Sequence, residues 1–200
     1  MSHPDAQLWN ARYLAGKRHF LRRPPHSLVR TYADQLPPGG LALDVAAGSA
    51  ASGLFLAGRG LRVIAMDISE AGLRLGQQRA RELSLSLALV VMDLDDPWLP
   101  PSGFDVILNF YYLSRPLFES YRQALKPGGW LFFETFVQEA HKRRNSTHYL
   151  EPGELYAAFK DWEILHWAET RRARRGAMLA TNRIAQLVAR KPYLEERNIL

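Results

Sequence analysis

From Leu41 onward, short apolar runs alternate with longer segments whose apolar positions recur at helical spacing. The runs at 41–46, 62–66, 87–92, 104–109 and 130–136 read as strands covered on both faces, because few polar residues interrupt them. Helices are expected at 50–57, 70–83 and 116–125, and this alternation of strand and helix is the pattern of βαβ units in a parallel sheet. After a helix at 152–159, the strand-like segments 162–169 and 178–189 are separated by a short polar turn, which favours an antiparallel hairpin and a sheet that ends mixed. Ahead of this core stand a helix around Leu8, Trp9, Arg12 and Tyr13 and a second helix at 26–36, stopped by Pro37, Pro38, Gly39 and Gly40. Residues 1–36 are therefore expected to form a helical lid or appendage on a single domain, 37–200.

Two hundred residues with 47% hydrophobic content are enough for one sizeable core. No apolar run approaches the ~20 residues of a bilayer span, and the first segment has no secretory apolar centre, so a cytoplasmic protein without membrane contact is expected. The absence of cysteine removes disulfides, thiolate metal sites and a cysteine nucleophile, and no metal is expected. A net charge of +6 favours an anionic partner without choosing between an acidic metabolite and RNA. The densest basic run is Arg171, Arg172, Arg174 and Arg175 before Gly176, read first as a solvated hairpin tip and second as a nucleic-acid contact.

Three segments carry candidate chemistry. In LALDVAAGSAASG, 41–53, small residues let the backbone approach a ligand, and the helix that follows offers free N–H groups. The glycine spacing of a dinucleotide loop is missing, since only Gly48 and Gly53 occur there. Asp67 ends the second strand and is placed to accept hydrogen bonds from a ribose diol; Ser69 is free to cap the next helix in its stead. Asp93 repeats the theme after the third strand. Asp44, Asp67 and Asp93 would thus follow three successive parallel strands, on the edge where such sheets bind ligands. The segment LKPGGW suits a type II turn at 126–129 that joins a helix tightly to a strand.

Taken in order, LDVAAGSA, VIAMDIS, VVMDLDD and LKPGG resemble the successive motifs of class I S-adenosylmethionine-dependent methyltransferases. The opening W-x-x-R-Y at 9–13, NFYYLSRPLF, FETF and RNSTHYLEPGEL resemble a small bacterial branch related to tellurite-resistance and thiopurine methyltransferases. The resemblance implies an α/β fold: a doubly wound, Rossmann-like, seven-stranded mixed sheet of order 3-2-1-4-5-7-6, its last strand antiparallel, with helices on both faces. It implies S-adenosyl-L-methionine as cofactor. Asp44, Ala46 and Gly48 would line its methionine part, Asp67 and Ile68 its ribose, and Asp93 and Leu94 its adenine. Asn109 and Phe110 would lie beneath the methyl donor, with Tyr13 closing the site. Where the family pattern has glycine, this chain has Ala46 and Ala50, whose methyl groups narrow the room and would be strained at positive φ.

Tyr111 and Tyr112 are candidates for an aromatic wall beside the sulfonium, and Arg115 for holding an anionic acceptor, with Arg143 and Arg144 as further cations. A general base would come from His141, His148 or Tyr112, and a soft nucleophile would need none. The expected activity is methyl transfer to a small-molecule acceptor by a monomer or homodimer. An RNA methyltransferase and a non-catalytic S-adenosylmethionine-binding scaffold stand as alternatives.

Overall fold

Each apolar run after Leu41 is followed by a segment too long for a hairpin, so the chain crosses over and lays the next strand parallel to the last. In the computed structural model, which describes residues 3–95, 97–139, 146–173 and 181–193, these strands are β1 (Leu41–Val45), β2 (Arg62–Asp67), β3 (Ala88–Val91), β4 (Phe104–Phe110) and β5 (Leu125–Phe136). The hairpin partners are β6 (Glu163–Ala173) and β7 (Thr181–Arg190). They form one seven-stranded sheet of order β3-β2-β1-β4-β5-β7-β6, parallel except for β7, which runs antiparallel to both β5 and β6.

Alternation along the strands sorts side chains onto two faces. Leu43, Ile107, Leu131, Phe133 and Leu187 pack on one side with Leu117 and Tyr121 of α6 (Pro116–Ala124) and Phe159 of α7 (Glu154–Phe159). Ala42, Val106, Leu108, Phe132 and Val188 pack on the other with Leu28 and Val29 of α3 (Ser27–Tyr32) and Leu56 of α4 (Ala51–Ala57). The helix α3 is thus part of the core. Ahead of it, α1 (Pro4–Ala15) and α2 (Lys17–Leu21) lie against α5 (Glu70–Glu82).

Registers bring the carboxyl ends of the strands into line. Val45 pairs with Met66 on one side and Asn109 on the other, while Phe110 pairs with Glu134 and Glu134 with Gln186. Order reverses between β1 and β4, so the crevice opens there.

Several boundaries differ from expectation. The helix at 26–36 tightens into a 3-10 turn, Ala33–Gln35, because the prolines at 37 and 38 prevent its continuation. Strand β5 begins at Leu125, which pairs with Phe104, and a register shift before Val106 absorbs the turn; Gly128 has the positive φ of 76° that a type II turn demands. The helix expected from 152 begins at Glu154, behind Gly153 at φ 78°. Arg174, Arg175 and Gly176 of the basic turn, with His141, Arg143 and Arg144, lie outside the described residues.

Beneath the rim, the fully buried Asn109 donates from Nδ2 to the Tyr121 hydroxyl at 2.8 Å, and its Oδ1 has no hydrogen-bond partner among the described residues. Tyr121→Phe would leave both amide atoms unsatisfied. The substitution is expected to lower stability by about 1–3 kcal/mol, read from the urea midpoint at unchanged m value.

Candidate active site

The turn after β1 is coiled by three left-handed residues at alternate positions: Ala46 at φ 51°, Gly48 at 56° and Ala50 at 50°. The conformation that glycine would adopt freely is thus kept by two alanines under strain. It lets Ala47 N–H reach the Met66 carbonyl at 3.0 Å and Gly48 N–H reach Asp67 Oδ2 at 2.8 Å. Asp67 Oδ1 accepts from Ser69 N–H at 2.7 Å, so one carboxylate joins the turns after β1 and β2. Burial raises the Asp67 pKa, and these two N–H groups draw it back. Ser69 caps α5 by accepting from Gly72 N–H.

Asp44 is held differently. It is 4% exposed, and its one hydrogen bond among the described residues comes from Gly53 N–H, at 3.0 Å to Oδ2. A side chain at position 53 would come within 2.9 Å of that oxygen, which explains the glycine. Burial pushes the Asp44 carboxyl up to about 7, with Gly53 N–H and Arg23 opposing and Asp67 adding to it. This poised acid lines a cavity of about 520 Å³, shared with Ala46, Phe110, Tyr111, Arg23 and Arg172.

Across the cavity, β4 is followed by Tyr111 at φ 66°, a strained conformation for an aromatic residue, fixed by its N–H donating to the Glu134 carbonyl at 2.7 Å. The Glu134 side chain is fully buried, accepting from Arg172 Nη1 at 2.8 Å and Gln186 Nε2 at 2.6 Å, with His26 Nε2 3.1 Å away. Burial alone would raise its pKa, but His26, Tyr111 and Gln186 together hold it down at about 2. His26 stacks on Phe110 with ring centres 4.0 Å apart, accepts Leu28 N–H on Nδ1 and so caps α3, and donates its backbone N–H to Ser52 Oγ. The same Arg172 Nη1 donates to the Tyr111 hydroxyl at 2.8 Å.

The N-terminal helices cover the neighbouring turns. Tyr13 is 6% exposed, its hydroxyl lying where a methyl on Gly48 would stand and its ring edge 2.9 Å from where one on Gly72 would. Asn10 Oδ1 accepts from Ser69 Oγ and Ala71 N–H, fastening α1 to the start of α5. The residues present fit the methionine end of an adenosyl cofactor: a poised carboxylate facing open space suits its ammonium group. At the nucleoside end, Asp67 keeps lone pairs to spare, while Tyr13 sits on the glycine face.

Of the expected residues, Asp44, Ala46, Phe110 and Tyr111 line the cavity, and Gly48, Asp67 and Tyr13 cluster beside it. Ile68 is half-buried between the two N–H-bound ends of that cluster. Asp93 stands apart at the surface, accepting from Asp95 N–H and lying 3.6 Å from His3 Nε2, and Leu94 is buried in the core. Tyr112 donates to Asp95 Oδ1 at 3.1 Å; burial first, then Asp95, raises its pKa, so its phenol stays protonated. Tyr111 likewise stays protonated, through burial and then Glu134. Arg115 is bound to Glu154 at 2.6 Å and to the Tyr149 carbonyl, away from the cavity, and His148 is exposed. Sequence reasoning passed over Arg23, His26, Arg30 and Glu134 as site residues and took Arg172 for a turn tip. The lone acid inside the apolar run WLFFETF was the available signal.

Ala46→Gly is expected to raise stability by up to about 1 kcal/mol, since the left-handed penalty of about 1–2 kcal/mol exceeds the entropy that glycine brings. An unchanged or lower urea midpoint would show that the turn carries no strain at this alanine.

Comparison with known proteins bears on the family of one segment and on the fold. Residues 42–129 match the family described as a methyltransferase domain. No curated protein matches the chain by sequence. Among solved structures, TehB from Haemophilus influenzae superposes with TM-score 0.73 at 18% identity, over 83% of this chain and 62% of that one, so the chain spans less than two thirds of TehB. Geranyl diphosphate C-methyltransferase from Streptomyces coelicolor A3(2), solved with geranyl diphosphate, Mg2+ and S-adenosyl-L-homocysteine, gives 0.69 at 16% identity, over 93% and 96% of the two chains. The [4+2]-cyclase SpnF gives 0.75 at 18% identity, over 96% and 97%. Residues 42–129 thus carry the match to a methyltransferase domain, and the chain as a whole shares the fold of these solved structures.

Proposed function

We propose that this chain transfers the methyl group of S-adenosylmethionine to a small-molecule acceptor bound in the cavity between β1 and β4. The observation that carries the reading is Asp44, a nearly unpaired buried carboxylate facing that cavity across from Tyr111. When bound, the cofactor supplies a sulfonium methyl that an acceptor lone pair takes in line, the sulfur keeping the electron pair of the broken C–S bond.

Asp44 holds the ammonium of the methionine part and is ionised by doing so. Asp67 and Ile68 take the ribose, Asp93 and Leu94 flank the adenine, and Gly48 gives the backbone approach. Asn109 ends β4 beneath the reacting centre, and Phe110 and Tyr111 wall it, excluding water and offering aromatic faces to positive charge. The helices α1 and α2 act as a lid, Tyr13 leaving the Gly48 face to close over the nucleoside. With both tyrosines protonated, the reading favours an acceptor that arrives already ionised over one that needs a base from this wall.

An RNA acceptor finds less support: within the basic run, Arg172 is turned inward to Glu134 and Tyr111. The scaffold alternative draws on the strained alanines and on Tyr13 over Gly48. Likeness to SpnF, a cyclase on the same fold, keeps chemistry and fold distinct.

Calorimetry with S-adenosylmethionine and S-adenosylhomocysteine is expected to show binding that Asp44→Asn weakens about tenfold or more. Binding to neither compound would end the methyltransferase reading, and binding without turnover on any acceptor would leave the scaffold. Because the Asp44 pKa is raised to about 7, affinity for the cationic amine should climb as pH rises through 7, with proton release below it. In the unliganded chain the sign reverses. The folded state keeps a proton that the unfolded state loses, so this group's contribution to stability falls as pH rises from about 4 to 7. Asp44→Asn should flatten that slope in urea titrations.

A further inference from the structure

The outer part of the cavity is unusually cationic. Arg23 and Arg30 are exposed at its edge with no acidic partner among the described residues, and Arg172 and His19 stand with them. Inside, Asp44 is the one carboxylate among the described residues that line the cavity. Glu134 offsets Arg172, its ion-pair partner, and leaves Arg23 and Arg30 unbalanced. A bound adenosyl sulfonium, with two positive groups and one carboxylate, adds a further positive charge and takes Asp44 for its ammonium. The loaded cavity is therefore short of negative charge, and that shortage lies on the side left to the acceptor.

We propose that Arg23, Arg30 and Arg172 form an anion-recognition subsite, and that the acceptor is a small organic acid. Its carboxylate or phosphate sits on these guanidinium groups and its methyl-accepting atom points inward beside Tyr111. Arg172 sets the geometry: its Nη1 is 2.8 Å from both Glu134 and the Tyr111 hydroxyl, so an anion on its remaining N–H groups lies next to the aromatic wall. Glu134 is a positioning residue, since its charge, together with the Tyr111 hydroxyl, fixes that fork. The inference rests on the methyltransferase reading for the role of the bound acid, though not for its binding.

The test uses the full chain saturated with S-adenosylhomocysteine and titrated with benzoate and benzamide, which match in shape and differ in charge. Benzoate should bind about tenfold tighter or more, with the preference falling as salt rises. In Arg172→Gln the preference should shrink severalfold while benzamide binding stays put. Glu134→Gln should do the same if it folds, and the half-exposed Arg172 keeps the test alive if it does not. Equal binding of the two probes, binding of neither, or a preference that survives removal of all three arginines overturns the subsite. The arginines would instead serve the cofactor's own carboxylate if their removal weakens S-adenosylhomocysteine but not methylthioadenosine, and benzoate competes with the former; that result also overturns the proposal. If S-adenosylhomocysteine fails to bind at all, the methyltransferase reading fails, and the same two probes on the unliganded chain still decide the subsite.

Discussion

The buried charge on Glu134 is the constraint from which the rest of the site follows. A carboxylate with no exposure is tolerable only if opposite charge and hydrogen bonds surround it, and here they come from three directions: His26 ahead of the sheet, Gln186 on β7 and Arg172 on β6. Meeting that demand draws the N-terminal segment onto the rim, stacks His26 on Phe110 and turns one arginine of a basic run inward. The same strand's backbone holds Tyr111 in its left-handed turn. One residue therefore joins both ends of the chain to the end of β4.

Asp44 shows the opposite solution on the same rim. It is almost as deeply buried, yet it receives a single hydrogen bond among the described residues, and its pKa rises to about 7 where that of Glu134 falls to about 2. Two carboxylates in similar burial thus differ in their supply of partners among the described residues, and their pKa values move in opposite directions. Asp44 faces open volume.

The alternation of faces and the approximate limits of each strand were legible because they depend on local pattern, whereas the sheet order came from the family resemblance. Runs such as FDVILN and WLFFETF bury both faces and permit little else. The alanines at 46 and 50 were legible as a strain, since a coiled turn needs positive φ whatever residue occupies it. Other parts depend on which distant residues meet. Arg115 faces an acid 39 positions later, and Arg172 finds one 38 positions earlier; no spacing rule tells these two arginines apart. Asp93 follows its strand as expected, but β3 is a short edge strand, and Asp93, two positions past its end, faces solvent.

The Asp67 carboxylate fastens Gly48 N–H with one oxygen and Ser69 N–H with the other, so it is mortar for the two loops as well as a proposed handle for sugar. Replacing it would slacken the cradle and remove the handle in one stroke. A lost affinity at this position would then report the shape of the loops together with the missing contact. Evolution meets the same difficulty: a lineage that abandoned the nucleoside would still be obliged to keep this acid, so its presence in a sequence testifies to the bend in the backbone before it testifies to any guest.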